Sequence, residues 1–176
     1  LSTHDLGYFF KHFLERVDWT RDLHFQTKTT IDTLDYSGDD WNGGSKVVMA
    51  CRGDAIRKLE SEHPSNATSR LIIDSKVIMP GILGITMLPF SNYQEAEKEM
   101  TNLTEYLSHQ NLDGFPLIVI SDDSAFTAAN INNFVWVTFT RSNPSHDIYG
   151  VHSFISHKHW GCNGSLIIDA RKKPHH

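Results

Sequence analysis

Cysteine is nearly missing: Cys51 and Cys162 are the only two in 176 residues, far apart and in no CxxC spacing. A disulfide framework and a cysteine-type structural zinc site are thereby disfavoured, and a reducing, cytoplasmic setting is the expectation. Long hydrophobic runs are missing as well. No stretch approaches the ~20 apolar residues of a spanning helix, and nothing resembles a signal peptide. Positive charge is scarce, since 16 Lys and Arg against 21 Asp and Glu leave a net charge of -5. Without a Lys/Arg stripe, nucleic acid is not expected as a partner. Internal repeats and low-complexity segments are also lacking. The Asn-x-Ser/Thr triplets at Asn66, Asn102 and Asn163 would matter only in a secreted protein.

What is present fits one domain with a conventional core. It is organised around residues 117–141, LIVISDDSAFTAANINNFVWVTFTR. Leu117, Ile118, Val119 and Ile120 follow Gly114 and Pro116 as an apolar run too short for a helix. Unbroken apolar character predicts a strand buried on both faces, the habit of a central parallel strand. Its end at Ser121 puts Asp122 and Asp123 at the carboxyl edge of a sheet, where ligands lie in open α/β folds. The pair is therefore a candidate site, with loop solvation and capping of the next helix as the plain alternative. Over residues 127–141 two signals disagree. FVWVTFT has strand propensity, whereas Ala128, Ile131, Val135 and Phe139 keep helical spacing behind Thr127 as N-cap, and a buried helix is expected. Trp136 then reads as core, and Arg141 either anchors a carboxylate or pairs with Asp147.

Elsewhere, residues 5–17 place Leu6, Phe9, Phe10, Phe13 and Val17 at helical spacing. This apolar side packs either on the chain's own core or on a preceding domain or neighbouring subunit, as though the chain were cut from a longer one. Residues 24–36 alternate as a strand, 37–44 form a turn and 46–51 a second strand. Asn42-Gly43-Gly44-Ser45-Lys46 lacks the spacing of a phosphate loop and reads as a turn. Residues 54–62 predict a short polar helix, and 71–90 short strands joined by tight turns. Ser91 and Gln94 have the form of a capping box ahead of a helix over 93–110, which feeds the 117–121 strand as half of a βαβ unit. Residues 147–155 and 166–168 predict two more strands, followed by a polar tail. The sum is an α/β fold, a layered sheet with parallel central strands flanked by helices. Its divisions are a connecting amphipathic helix (1–20), the α/β domain (21–174), and His175 and His176 as native tail or tag remnant.

Four pieces together are familiar: LIVISDD, NNFVWVTFTR, SNPSHD ending at Asp147, and SLIIDARKKP. In this order and spacing they resemble the carboxy-terminal domain of the UbiD family of decarboxylases, most strongly over residues 115–174. The resemblance implies that domain's fold. For the whole protein it implies reversible, non-oxidative decarboxylation of an aromatic or α,β-unsaturated carboxylic acid, using prenylated FMN with a divalent metal (Mn or Mg) and potassium; ubiquinone synthesis is one use. It also implies that the proton-moving glutamate-arginine-glutamate set and most flavin-holding groups lie in an upstream flavin-binding domain of the same chain. No stretch here matches that set. The carboxy-terminal domain would close over the active site from one side and build homo-oligomer contacts, and this piece alone would be inactive and bind no cofactor.

The stretch HSFISHKHWGC, residues 152–162, is the richest in polar chemistry. On a strand His157 and His159 would point the same way, with Trp160 and Cys162 nearby. One reading makes His157, His159 and Trp160 a wall facing an aromatic acid, through imidazole hydrogen bonds and indole stacking. A second makes His152, His157, His159 and Cys162 a zinc site. The third is a surface loop with ordinary histidines. Two other function classes therefore stand beside the decarboxylase domain: a non-catalytic α/β oligomerisation module, and a metal-dependent hydrolase built on these histidines.

Overall fold

A computed structural model describes residues 4–30, 43–64 and 69–174. Its first elements are α1 (Leu6–Leu14), β1 (Leu23–Thr29), β2 (Gly44–Met49), β3 (Asp74–Met79), β4 (Ile82–Thr86), α2 (Tyr93–Ser108) and β5 (Leu117–Ser121). Then come α3 (Ser124–Ala128), α4 (Ile131–Thr140), α5 (Pro144–Asp147), β6 (Ile148–Gly150), β7 (Ser153–Ser156), β8 (His159–Cys162) and β9 (Leu166–Asp169). A five-stranded mixed sheet runs in the order β3-β4-β5-β9-β6, and β1-β2 and β7-β8 form separate antiparallel ladders. The three inner strands are parallel, with Ile82 beside Leu117 and Leu117 beside Leu166.

Every residue of β5 is buried, as an unbroken apolar run at the sheet centre requires. Alternate strand residues feed two cores. Ile82, Leu117, Val119, Leu166 and Ile168 pack with Phe10, Leu14, Trp19, Phe134 and Val137. On the other face Leu83, Ile85, Ile118, Ile120 and Ile167 pack with Met100, Leu103 and Leu107 of α2. Helix α1, capped by Asp5, packs on this chain's own core, where Phe10 meets Phe134 edge-on at 5.1 Å.

Several local expectations change. Residues 54–62 form no helix, because their amides bond elsewhere: Ile56 and Arg57 donate to the Glu15 carbonyl, and Glu60 to that of Gly114. Arg57 Nη1 also donates to the carbonyls of Leu14 (2.7 Å) and Val17 (2.6 Å), closing the end of α1. The cap of α2 is Asn92, one residue past Ser91, and it accepts from the Glu95 amide. Helix wins over strand in 127–141, but as two pieces. Thr127 lies inside α3, and α4 is capped by Asn130. Only one face of α4 is buried. Trp136 lies two residues from the buried Phe134, about 200° around the helix, and is 52% exposed instead of core. The 147–155 strand is broken at Val151 and His152 into β6 and β7, which belong to different sheets. Ile31, Thr33, the 37–42 turn, Asn66 and His175-His176 lie outside the described residues.

Candidate functional site at the carboxyl edge of the sheet

The acidic pair sits where the apolar run ends, and both carboxylates are engaged. Asp123 caps α3 by accepting from the Phe126 amide at 2.8 Å. Asp122 accepts from the Lys172 amide (2.9 Å) and from Arg141 Nη1 (3.3 Å). Arg141 thus pairs with Asp122 and not with Asp147, and its guanidinium lies over the Trp136 ring, 4.8 Å from the centroid.

Asp147 is taken by Lys173, from the stretch that the sequence presents as a polar tail. Lys173 and Arg171 are buried, because the chain beyond β9 stays bonded to the carboxyl edge through the Ala170 amide on the Ile120 carbonyl and the Lys172 amide on Asp122. Lys173 Nζ lies 3.2 Å from Asp147 and donates to the carbonyls of Asp169 (2.5 Å) and Arg141 (3.0 Å). Arg171 grips the buried Asp169 with Nε (3.0 Å) and Nη2 (2.7 Å), and its Nη1 reaches Glu99 (2.6 Å) and the Leu88 carbonyl (2.9 Å). The Phe90 ring lies 5.8 Å from the Arg171 guanidinium and 5.6 Å from Lys173 Nζ.

These environments shift the titrating groups. Burial pushes the Asp147 carboxyl above its usual range; Lys173 and the Asn143 amide pull it back, and Asp169 adds to the rise. Burial opposes the charge of Arg171, but the hydrogen bonds and charge of Asp169, with those of Glu99, raise its pKa above the usual value. Tyr149 is raised by burial first and by nearby Asp169 and Asp147 second. The edge is therefore a set of fixed, mutually satisfied ions. Its carboxylates are already committed to cations and amides, so they do not fit a divalent metal or a flavin phosphate. Among the described residues no three His, Cys, Asp or Glu side chains are grouped to hold a metal ion.

The histidine stretch lies at the other end. Gly150 pairs with Leu166 at the start of β9, so the chain leaves the sheet at the amino ends of the parallel strands. The β7-β8 hairpin then turns on two residues, His157 (φ 50°) and Lys158 (φ 68°). His157 therefore stands in the turn and does not share a strand face with His159. His159 Nε2 lies 3.0 Å from the Thr20 carbonyl, and Trp160 packs edge-on against Phe25 at 5.6 Å. Gly161 permits close docking, since a Cβ there would stand 2.8 Å from the Trp19 carbonyl. Cys162 is buried and its thiol is pushed up to about 12. Asp122 and Asp123 thus come together with Arg141, Asp147, Arg171 and Lys173, while His157, His159 and Trp160 form a separate group. What went unread was Arg171 and Lys173; the signal was two cations at alternate positions directly after a buried strand.

Comparison with known proteins gives one family match and several longer relatives. Residues 1–51 match the family model of the 3-octaprenyl-4-hydroxybenzoate carboxy-lyase C-terminal domain (UbiD). A Chlamydia pneumoniae protein, named as one of the subunits of a 4-hydroxybenzoate decarboxylase, is 34% identical over 161 residues, which is 92% of this chain and 26% of that protein. An uncharacterized protein of Chlamydia caviae is 29% identical over 163 residues, 93% of this chain and 26% of its own length. The chain spans about a quarter of the length of the curated relatives it matches. The family match falls on the first 51 residues, outside the 115–174 stretch where the resemblance was strongest, and the longer alignments cover most of the chain.

Proposed function

We propose that this chain, a relative of the UbiD carboxy-lyases through their carboxy-terminal domain, is the carboxy-terminal α/β part of a larger non-oxidative decarboxylase acting on an aromatic or α,β-unsaturated acid. The observation that carries this is the 34% identity to a protein named for decarboxylation, along 92% of the chain. In this reading prenylated FMN, its divalent metal and potassium are held by an upstream flavin-binding domain. The cofactor supplies the electron sink for decarboxylation; the residues of this domain contribute shape and rigidity and no proton transfer. The β7-β8 hairpin supplies one wall facing the acid, with Trp160 on β8 and His157 at its tip, and the domain also takes part in a homo-oligomer.

The test is decarboxylation by the polypeptide as its gene encodes it, loaded with prenylated FMN and offered hydroxylated aromatic and α,β-unsaturated acids. Release of carbon dioxide from any of them supports the reading, and none from the flavin-loaded protein removes it. A Trp160→Ala change should alter the preference among acids more than it alters stability. Unchanged kinetics on every acid would remove the hairpin from the pocket.

A further inference from the structure

One pair of histidines has no part in the function proposed above. Strand β1 places His24 and Phe25 on opposite faces, and β8 does the same with His159 and Trp160. Phe25 and Trp160 meet on the inner face, packed against the core. On the outer face the rings of His24 and His159 stand 6.5 Å apart, centroid to centroid, tilted by 59°. His24 is exposed and His159 is half-buried.

His159 is already oriented for a ligand. Its Nε2 lies 3.0 Å from the Thr20 carbonyl, which can only accept, so Nε2 carries the proton and Nδ1 keeps its lone pair. A backbone carbonyl on one ring nitrogen is the usual support of a histidine whose other nitrogen binds a metal. His24 supplies a second imidazole. Two imidazoles on one tetrahedral ion, with nitrogens at about 2.0–2.1 Å, place their centroids about 5 Å apart. A turn of the exposed His24 ring covers the difference from 6.5 Å.

The carboxylates of the neighbouring loop are committed elsewhere. Asp22 accepts from the Asp18 amide (2.9 Å) and Asp18 from the Thr20 amide (3.0 Å), and Arg21 Nε lies near both, 3.6 Å from Asp18 and 3.3 Å from Asp22. The protein donors are therefore two nitrogens, with water completing the shell. Imidazole donors suit zinc, copper or nickel, whereas magnesium and calcium take oxygen. This pair shares only His159 with the group of His152, His157, His159 and Cys162, of which His157 stands in the turn and Cys162 is buried.

We propose that His24 and His159 together bind a divalent transition-metal ion of the zinc and copper class. The ion staples the β1-β2 ladder to the β7-β8 hairpin, which belong to different sheets. It fixes the hairpin from the side opposite Trp160, and neither flavin nor decarboxylation is needed for it to bind.

Carbethoxylation of histidines in the full-length polypeptide, resolved by mass spectrometry, tests this residue by residue. The protein is stripped with EDTA and labelled with and without zinc chloride. With zinc at ten times the binding midpoint the unliganded fraction falls about tenfold, and His24 and His159 should slow together by that factor. His152 and His157, both exposed on the same hairpin, should react at an unchanged rate. His24 is exposed, so His24→Ala leaves the fold in place and should abolish the zinc protection of His159. His159→Gln keeps a donor for the Thr20 carbonyl and should abolish the protection of His24. Equal labelling of either residue with and without zinc overturns the site, as does protection of His159 that survives His24→Ala. Magnesium chloride that protects as well as zinc overturns it too, because the effect is then not coordination by nitrogen.

Discussion

The two ends of the central sheet are stabilised by opposite means. At the carboxyl edge Asp147, Asp169, Arg171 and Lys173 are all buried and paired, Asp169 with Arg171 and Asp147 with Lys173. At the amino edge the joints are neutral: Trp19 Nε1 donates to the Pro116 carbonyl at 2.8 Å, the Cys162 amide donates to the Trp19 carbonyl at 3.3 Å, and His159 meets Thr20. Buried ions gain little net stability over apolar groups of the same shape, but they are costly to break singly. The carboxyl edge is thus specified more than it is stabilised. It fixes where Arg141 and Trp136 stand, whereas the amino edge is held by neutral hydrogen bonds and close packing.

The largest expected effect follows from that asymmetry. Asp169→Ala leaves Nε and Nη2 of the buried Arg171 without their carboxylate, with only Nη1 still held by Glu99 and the Leu88 carbonyl, and should cost about 3 kcal/mol in urea denaturation. Replacing both partners, Asp169→Leu with Arg171→Met, should cost clearly less than the single change. If the double variant is the less stable of the two, the edge owes its stability to the ions themselves and the contrast with the amino edge collapses.

The next effect is one of pH. The Asp147 carboxyl is raised, by burial first, so the folded state holds its proton more tightly than the unfolded chain. Its contribution to stability is therefore full below the ordinary aspartate pKa of about 3.9 and is lost as pH rises through the higher folded value. One such proton changes the slope of stability with pH by up to about 1.4 kcal/mol per unit. Asp147→Asn should remove that falling component from a series of urea midpoints between acid and neutral pH. An identical pH profile for the variant would show that Lys173 offsets the burial of Asp147 completely.

At the amino edge the expected loss is smaller. Trp19→Phe keeps most of the ring in the core but deletes the bond to Pro116, which should cost on the order of 1 kcal/mol plus any penalty for the unpaired carbonyl. A loss as large as that of Asp169→Ala would mean that the two ends do not differ in kind.

How much of this could be read from the chain depended on whether a local signal survived its context. The run from Leu117 to Ile120 could be read as a central strand because burial on both faces leaves an unbroken apolar record. Helix α2 was legible from its 3-4-3-4 spacing, and Ala96, Met100, Leu103 and Leu107 are its buried residues. Asp122 and Asp123 were correctly placed at a strand end, but their partners come from residues 141 and 172, a pairing that local spacing does not encode. Arg171 and Lys173 looked like a tail because long cations usually end in water. Only the continued bonding of the chain to the edge beyond β9 buries them.

The hairpin turn was hidden for a different reason, and it yields the smallest effect. Two-residue hairpin loops of type I′ need φ > 0 at both central positions, which Asn-Gly satisfies without strain. Here His157 (φ 50°) and Lys158 (φ 68°) adopt that geometry without glycine or asparagine, so the sequence shows alternation where the structure has a reversal. Lys158→Gly should therefore stabilise the domain by about 0.5–1 kcal/mol, the relief of a left-handed lysine less the entropy of a glycine. Thermal denaturation of the single variant measures it. If Lys158→Gly raises the melting temperature, and any decarboxylation found in the assay proposed above is unchanged in the variant, the tip serves only to reverse the chain. If stability rises while the preference among acids in that assay shifts, the strained pair is kept for what it presents to the proposed substrate.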